Sequence, residues 1–174
     1  MARRYDPGRR QRIIDAAIRV VGAKGIAGLS HRSVAAEADV PLGSTTYHFA
    51  TLDDLLVAAL RQANEAFTPQ LPPGVDLAAS LARLLGELLS GDRARAELEY
   101  ELYLAALRRP ALRPVAVEWC DAVAGALADR RVDPATARAV VAVMDGISLQ
   151  VLLTGTEYDE AYACEILGRV LGPA

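Results

Sequence analysis

The sequence has few of the residues from which metal and catalytic sites are built. Among 174 residues there are two histidines, His31 and His48, and two cysteines, Cys120 and Cys164. The cysteines form no CxxC pair, and no histidine lies beyond residue 50 to join a carboxylate or a thiol. Zinc and similar ions need such clusters. We therefore expect no metal site, no cofactor, and two reduced thiols rather than a disulfide.

Uninterrupted apolar runs are also missing. The apolar stretch 139–153 contains Asp145 and Gln150 and is shorter than the roughly 20 residues that cross a bilayer. No apolar signal-peptide core follows Met1. We expect a cytoplasmic protein that does not enter a membrane.

Phenylalanine and β-branched runs are scarce, which argues against a sheet. Apolar residues make up 52% of the chain, and Ala and Leu dominate them. These residues favour helices, and no segment has a convincing strand pattern. We expect an all-α protein of about nine helices.

The net charge of −3 hides an uneven distribution. Residues 1–50 hold eight basic and four acidic residues, whereas the remaining 124 residues hold 11 basic and 18 acidic ones. The sequence therefore predicts a basic N-terminal head on an acidic body.

Helical periodicity and punctuation divide the chain into an arm, a head and a body. Residues 1–8 are polar and basic and predict a flexible arm, and residues 9–67 predict the head. The Pro-rich segment 68–74 marks a boundary, and residues 75–174 form the body. In the body the patterns predict helices near 76–90, 92–108, 112–130, 134–154 and 157–171.

Individual residues set the expected helix ends. In the head, Ser30 caps a short helix over about 31–38, Asp39 takes a left-handed conformation at a sharp turn, and Pro41 opens a helix over about 42–48. Thr51 and Asp54 form a capping box. In the body the expected signals are Asp76, Asp92 and Asp133 as caps, Pro110 and Gly155 as stops, and Thr156 with Asp159 as a second capping box.

The segment Gly43–Phe49 is polar, rich in hydroxyls and aromatic. So short a segment cannot build a core. On a brief helix held against other helices it would present donors outward, as a recognition helix does to DNA.

The order of residues in the head resembles the TetR family of transcriptional regulators. The resemblance rests on Leu29–Ala35, on Val40 followed by Gly43-Ser44, on Tyr47-His48-Phe49, and on Asp53 with Leu55-Leu56. It implies a dimeric, usually repressing protein with an N-terminal three-helix helix-turn-helix head that reads an inverted repeat in double-stranded DNA. It also implies a C-terminal helical body that binds a small-molecule inducer.

The resemblance assigns DNA-contacting positions residue by residue. It implies phosphate contacts at the start of the second helix, major-groove positions in the third helix, further phosphate contacts at its end, and a donor at the next helix N-terminus. In that order the residues are His31 and Arg32; Leu42, Gly43, Ser44 and Thr45; Tyr47 and His48; and Thr51. Two positions depart from the family pattern: Thr46, which is also expected to contact DNA but with a shorter hydroxyl side chain, replaces a frequent aromatic residue, and Leu52 replaces a usual lysine.

Structural alternatives exist for several of these residues. We expect Phe49 to fill the core of the head, whereas Tyr47 is open between packing and a phosphate contact. His48 is expected at the surface. Arg3, Arg4, Arg9 and Arg10 would add sequence-independent affinity for DNA, or would be solvated charge without a function.

The helix at 134–154 is apolar nearly all round and must be covered on every side. With the final helix it would form a four-helix bundle with a second copy, so we expect a homodimer through residues 134–171. The alternative is the central helix of a monomer.

Most aromatic residues outside the head lie in the middle of the body, where an inducer pocket would need them. The expected ligand-binding residues are Leu81, Leu84, Leu85, Glu99, Tyr100, Tyr103, Trp119, Met144, Asp145 and Ser148. The alternative is an ordinary core stripe.

Two other functional classes compete with a ligand-responsive regulator. A ligand-independent architectural DNA-binding protein would use the same head and a fully packed body. An enzyme in a helical bundle is disfavoured, because the body has no Ser/His or Cys/His pairing and no glycine-rich phosphate loop. We expect no catalytic activity.

Overall fold

The computed structural model describes residues 6–66, 71–90 and 93–172. Over these residues the protein is all-α, as predicted. The α-helices are α1 (Arg9–Lys24), α2 (His31–Glu37), α3 (Leu42–His48), α4 (Leu52–Ala66), α5 (Leu77–Ser90), α6 (Arg93–Ala105), α7 (Arg113–Asp129), α8 (Pro134–Thr154) and α9 (Glu160–Leu171). The expectations for Arg3 and Arg4, for part of the boundary segment and for Asp92 as a cap fall outside the described residues.

The chain forms two compact units. The first contains residues up to 66 together with 98–116, and the second contains the remaining described residues. Helices α6 and α7 therefore each contribute to both units. The predicted boundary at 68–74 assigns residues 98–116 to the body. In the structure these residues belong to the same unit as the head.

Local hydrogen bonds set the helix ends of the head where the sequence predicts them. The Ser30 hydroxyl accepts from the Ser33 amide at 3.0 Å, and the Ser33 hydroxyl accepts from the Ser30 amide at 2.9 Å. Asp39 has a φ of 51°, so the left-handed turn between α2 and α3 is confirmed. These features fix the direction in which α3 leaves α2.

The core of the first unit joins α1 to the other head helices and to residues 98–116. Phe49 is 3% exposed there, which confirms its predicted place in the core. Glu101 Oε1 accepts from the Ile26 amide at 2.7 Å, Asn64 Nδ2 donates to the Val115 carbonyl at 2.9 Å, and Arg109 forms an ion pair with Asp53. Leu102 and Leu112 are fully buried in the same cluster.

The second unit is built mainly from α5, α8 and α9. Asp133 caps α8 as predicted, with Oδ1 accepting from the Ala135 and Thr136 amides at 3.0 and 3.1 Å. The hydrogen bonds from Thr136 hold the pKa of Asp133 below its usual value. Gly155 ends α8 in the left-handed conformation, with a φ of 71°.

One predicted helix start is wrong. Thr156 does not cap α9, because its hydroxyl pairs with that of Thr154 at 2.9 Å. Asp159 is the N-cap instead and accepts from the Tyr162 amide at 2.9 Å, so α9 begins at Glu160. The aspartate expected at the third position of a capping box is itself the capping residue.

Helix α8 is longer than its apolar centre. By length and composition alone, its 21 residues could cross a membrane. The stretch 139–153 predicts no membrane span because it is too short. Helix α8 is longer, because it continues on both sides of this stretch. The buried residues of α8 in the second unit are Ala137, Val140, Val141, Met144, Ile147, Ser148 and Val151. Packing inside the unit therefore accounts for the apolar character of this face.

Candidate nucleic-acid interface and ligand-binding residues

Helices α2 and α3 form the helix-turn-helix of the first unit. The side chains of Val34, Ala35 and Ala38 are buried, and the C-cap residue of α3, Phe49, is buried as well. Because these residues bury one side of the pair, the opposite side of α3 faces solvent.

The exposed side of α3 carries four of the predicted DNA-contacting residues. Leu42 is 46% exposed and Tyr47 is 78% exposed, and Gly43 and Thr46 lie between them on the surface. No heavy atom lies within 4 Å of the position that a Cβ would take at Gly43. The surface above Gly43 is therefore open to a close approach by another molecule.

Ser44 and Thr45 do not share this exposure. They are 3% and 0% exposed, and the Thr45 hydroxyl donates to the Leu42 carbonyl at 2.8 Å. The resemblance implies major-groove positions for both residues, but their side chains are buried and do not lie on the exposed side of α3. The Thr45 hydroxyl also lies 3.5 Å from the His31 carbonyl oxygen of α2, as expected where a short helix buries one side.

Tyr47, His48 and Thr51 lie at the end of α3 and the start of α4. The Tyr47 and His48 rings meet edge to face with centroids 5.1 Å apart. The exposure of Tyr47 disfavours the alternative that it is mainly core packing, and His48 is half-buried. The predicted capping box is present: Thr51 Oγ1 accepts from the Asp54 amide at 3.1 Å, and Asp54 Oδ2 accepts from the Thr51 amide at 2.9 Å.

His31 and Arg32 begin α2. Arg32 is exposed, and within the described residues it makes no ion pair. His31 is half-buried, and its Nδ1 is buried without a hydrogen-bond partner there. Arg32 therefore has an exposed charge, whereas His31 is only partly accessible.

The basic residues near the N-terminus are not one uniform arm. Arg9 and Arg10 belong to α1. Arg12 pairs with Asp6 at 2.6 Å, and Arg9 approaches the same carboxylate at 3.8 Å. Arg10 instead lies over the Phe49 ring, 5.0 Å from its centroid. No local sequence pattern predicts this contact, because the two residues are far apart along the chain.

Seven of the predicted ligand-binding residues lie in the second unit. Leu81, Leu85 and Met144 are buried in one apolar cluster, and Leu84 and Trp119 pack against it. Asp145 is half-buried and interacts with other residues. Ser148 is fully buried, and its hydroxyl has no hydrogen-bond partner within the described part of the chain.

The other three, Glu99, Tyr100 and Tyr103, belong to the first unit. All three are half-buried, and the two tyrosine rings meet edge to face at 6.1 Å. The single predicted set is thus divided between the two units.

The second unit also has an open groove of about 600 Å³. It lies where the start of α5, the turn after α7 and the end of α9 meet, and includes Arg130, Arg131 and Leu171. None of the predicted ligand-binding residues lines it. Arg130 is committed to the carbonyls of Leu71, Pro72 and Val75 at 2.6–3.2 Å.

Helices α8 and α9 expose large apolar side chains. Leu153 is 82% exposed and Tyr162 is 50% exposed, and Leu152 and Ile166 are half-buried. So much exposed apolar area on two helices is typical of an interaction surface.

Two family models match the chain. Residues 13–59 match the model described as bacterial regulatory proteins of the tetR family, and residues 73–173 match the model of the tetracyclin repressor-like C-terminal domain. The second match alone covers more than half of the chain.

Individual proteins agree with these models. The nicotine-responsive transcriptional repressor HdnoR of Paenarthrobacter nicotinovorans is 29% identical in an alignment that covers 82% of each protein. The crystal structure of the multidrug binding protein EbrR complexed with ethidium is 71% identical, with a TM-score of 0.88 over 95% of this chain and 99% of that one. Its complex with malachite green is 71% identical, with a TM-score of 0.87 over 96% and 100% of the two chains.

Proposed function

Because this chain belongs to the TetR family of transcriptional regulators, we propose that it represses transcription from an inverted-repeat operator and leaves that operator when a small molecule binds its body. The protein would act as a cytoplasmic homodimer. Membership of the family establishes a DNA-binding transcriptional regulator. Repression, release by an inducer and the homodimer are what we propose in addition.

One observation carries the DNA-binding half of this proposal. The exposed face of α3 combines an open backbone at Gly43 with the outward hydroxyl of Tyr47, and unpaired Arg32 lies on the neighbouring helix. Close backbone approach suits contacts to base edges and thymine methyls. Hydroxyl and guanidinium groups suit phosphate oxygens.

The unpaired hydroxyl of Ser148 supports the ligand-binding half. A buried hydroxyl without a partner costs about 1–3 kcal/mol, so such a group is expected to meet a ligand or a water. Ser148 lies one helical turn after Met144, which belongs to the apolar cluster with Leu81 and Leu85. A pocket that opened beside this cluster would be apolar with one polar group, and would fit a flat aromatic molecule that donates a hydrogen bond.

The exposed apolar residues of α8 and α9 support a homodimer. In a symmetric dimer the same surface of each copy covers the other, as Leu153 and Tyr162 require. Two heads are also needed to contact two half-sites of an inverted repeat.

A mobility-shift assay on the promoter region upstream of the gene tests the proposal. We expect the wild-type protein to shift this DNA, and a Tyr47→Ala, His48→Ala double variant to bind at least about tenfold more weakly because two phosphate contacts are lost in each head. Malachite green should release the wild-type complex. Equal binding by the double variant would contradict the assigned interface. Binding that no ligand relieves would favour an architectural protein instead.

Ligand binding without DNA is expected to depend on Ser148 in a ligand-specific way. Ethidium carries amino N–H donors, whereas malachite green carries only dimethylamino groups. A Ser148→Ala variant should therefore bind ethidium roughly 3- to 10-fold more weakly, the value of one hydrogen bond, and bind malachite green as the wild type does. The fluorescence of Trp119, the single tryptophan, reports the titration.

Ser80→Ala is the matched control for this titration. The Ser80 hydroxyl donates to the Asp76 carbonyl at 2.7 Å and has its partner within the helix. Its removal should leave both affinities unchanged. Equal losses for ethidium and malachite green in Ser148→Ala would mean that the hydroxyl acts through packing and not through a hydrogen bond to the ligand.

A further inference from the structure

The Arg10 guanidinium contacts an aromatic ring, whereas Arg9 and Arg12 of the same helix lie near the Asp6 carboxylate. It lies 5.0 Å from the centroid of the Phe49 ring, and the residue is exposed. Within the described residues no carboxylate pairs with it, and no hydrogen bond engages it.

The acidic groups near Arg10 are committed elsewhere. Asp6 is held by Arg12 and Arg9, and the hydrogen bond from Arg12 lowers the pKa of Asp6. Asp54 and Glu65 line the same shallow groove as Arg10. Asp54 accepts from the Thr51 amide, and Glu65 has its own interactions. The charge of Arg10 is therefore available to a molecule outside the chain.

The ring under Arg10 places this charge next to the C-terminal end of α3. Phe49 ends α3 and directly follows Tyr47 and His48, and Thr51 comes two residues later. A cation over an aromatic face is attracted to it, which limits the positions that a long side chain samples. Arg10 is thus held beside the end of the recognition helix and does not extend freely from an arm.

We propose that Arg10 is a fixed contact to the DNA backbone, with its guanidinium held by Phe49 against a phosphate next to those met by Tyr47 and His48. This inference rests on the proposed operator binding. Arginine suits the role because its planar fork can donate two parallel hydrogen bonds to phosphate oxygens. Because the ring already orders the side chain, less conformational entropy is lost on binding.

Salt dependence distinguishes a phosphate contact from other roles. Each neutralised phosphate adds about 0.9 to the slope of log K against log salt concentration, so losing one contact in both heads of a dimer should lower the slope by about 1.8. We expect Arg10→Gln to show this loss, to weaken operator binding at low salt, and to retain the wild-type preference for operator over random DNA. Arg10→Lys, which keeps the charge, should retain most of the slope.

Arg19→Gln is the matched control. Arg19 lies on the same helix but pairs with Glu37 at 2.6 Å, so its replacement should leave the slope unchanged. If wild-type protein binds the operator and the slope of Arg10→Gln equals that of wild type, the assignment of Arg10 is overturned while the proposed function stands. A selective loss of operator preference would also overturn it, because Arg10 would then contact bases. If the wild type binds no operator, the proposed function fails and this inference fails with it.

Discussion

Replacing Gly43 by leucine should reduce operator affinity at least about 100-fold and leave the protein as stable as before or slightly more stable. The Cβ position of Gly43 meets no atom within 4 Å, so the fold has room for the new side chain. Leucine also favours a helix over glycine by up to about 1 kcal/mol. On DNA the same side chain would hold both recognition helices away from the groove.

The opposite directions of these two effects make the experiment decisive. Thermal unfolding measures the first quantity, and a shift assay or fluorescence anisotropy measures the second. Gly125→Leu is the control, because Gly125 lies in α7 with equally open space at its Cβ position. It should match the change in stability and leave DNA binding intact. An operator affinity near wild type for Gly43→Leu would exclude α3 from the groove.

Replacing Leu153 by glutamate should dissociate the homodimer and weaken operator binding about 100-fold or more. Leu153 is 82% exposed in the single chain, so a charge there does not disturb the core of the second unit. At a dimer interface the same charge would be buried without a partner, which costs several kcal/mol. A monomer meets one half-site and loses the 10²- to 10⁴-fold or so gain that two linked sites provide.

Sedimentation of the variant, with and without DNA, measures both effects. Leu107→Glu is the control, because Leu107 is 73% exposed and belongs to the first unit and not to α8 or α9. We expect it to remain dimeric and to bind the operator. A dimeric Leu153→Glu protein would exclude this part of α8 from the interface.

Short-range chemistry made much of the head predictable from the sequence. The limits of α3, the left-handed Asp39 and the capping box of Thr51 depend on residues close together in the chain. Such features follow from backbone preferences and side-chain-to-backbone hydrogen bonds.

Features that depend on packing between distant segments could not be predicted in the same way. The resemblance implies major-groove positions for Ser44 and Thr45, but packing against the other helices of the head decides which side of α3 is buried. The contact of Arg10 with Phe49 and the contact of Glu101 with Ile26 join residues without any common local pattern. The ligand-binding residues are predicted from the chemical type of their side chains alone. They are divided between the two units because the first residues of α6 belong to the second unit and the later ones to the first.

The association of residues 98–116 with the head bears on the construction of chimeric regulators. An exchange of DNA-binding specificity between two relatives would normally be cut at the proline-rich segment near residue 70. Such a cut separates Ile26 from its acceptor Glu101, and Asp53 from Arg109. The exchangeable module of this protein is therefore discontinuous, and a transplanted head should keep its geometry only when residues 98–116 are transferred with it.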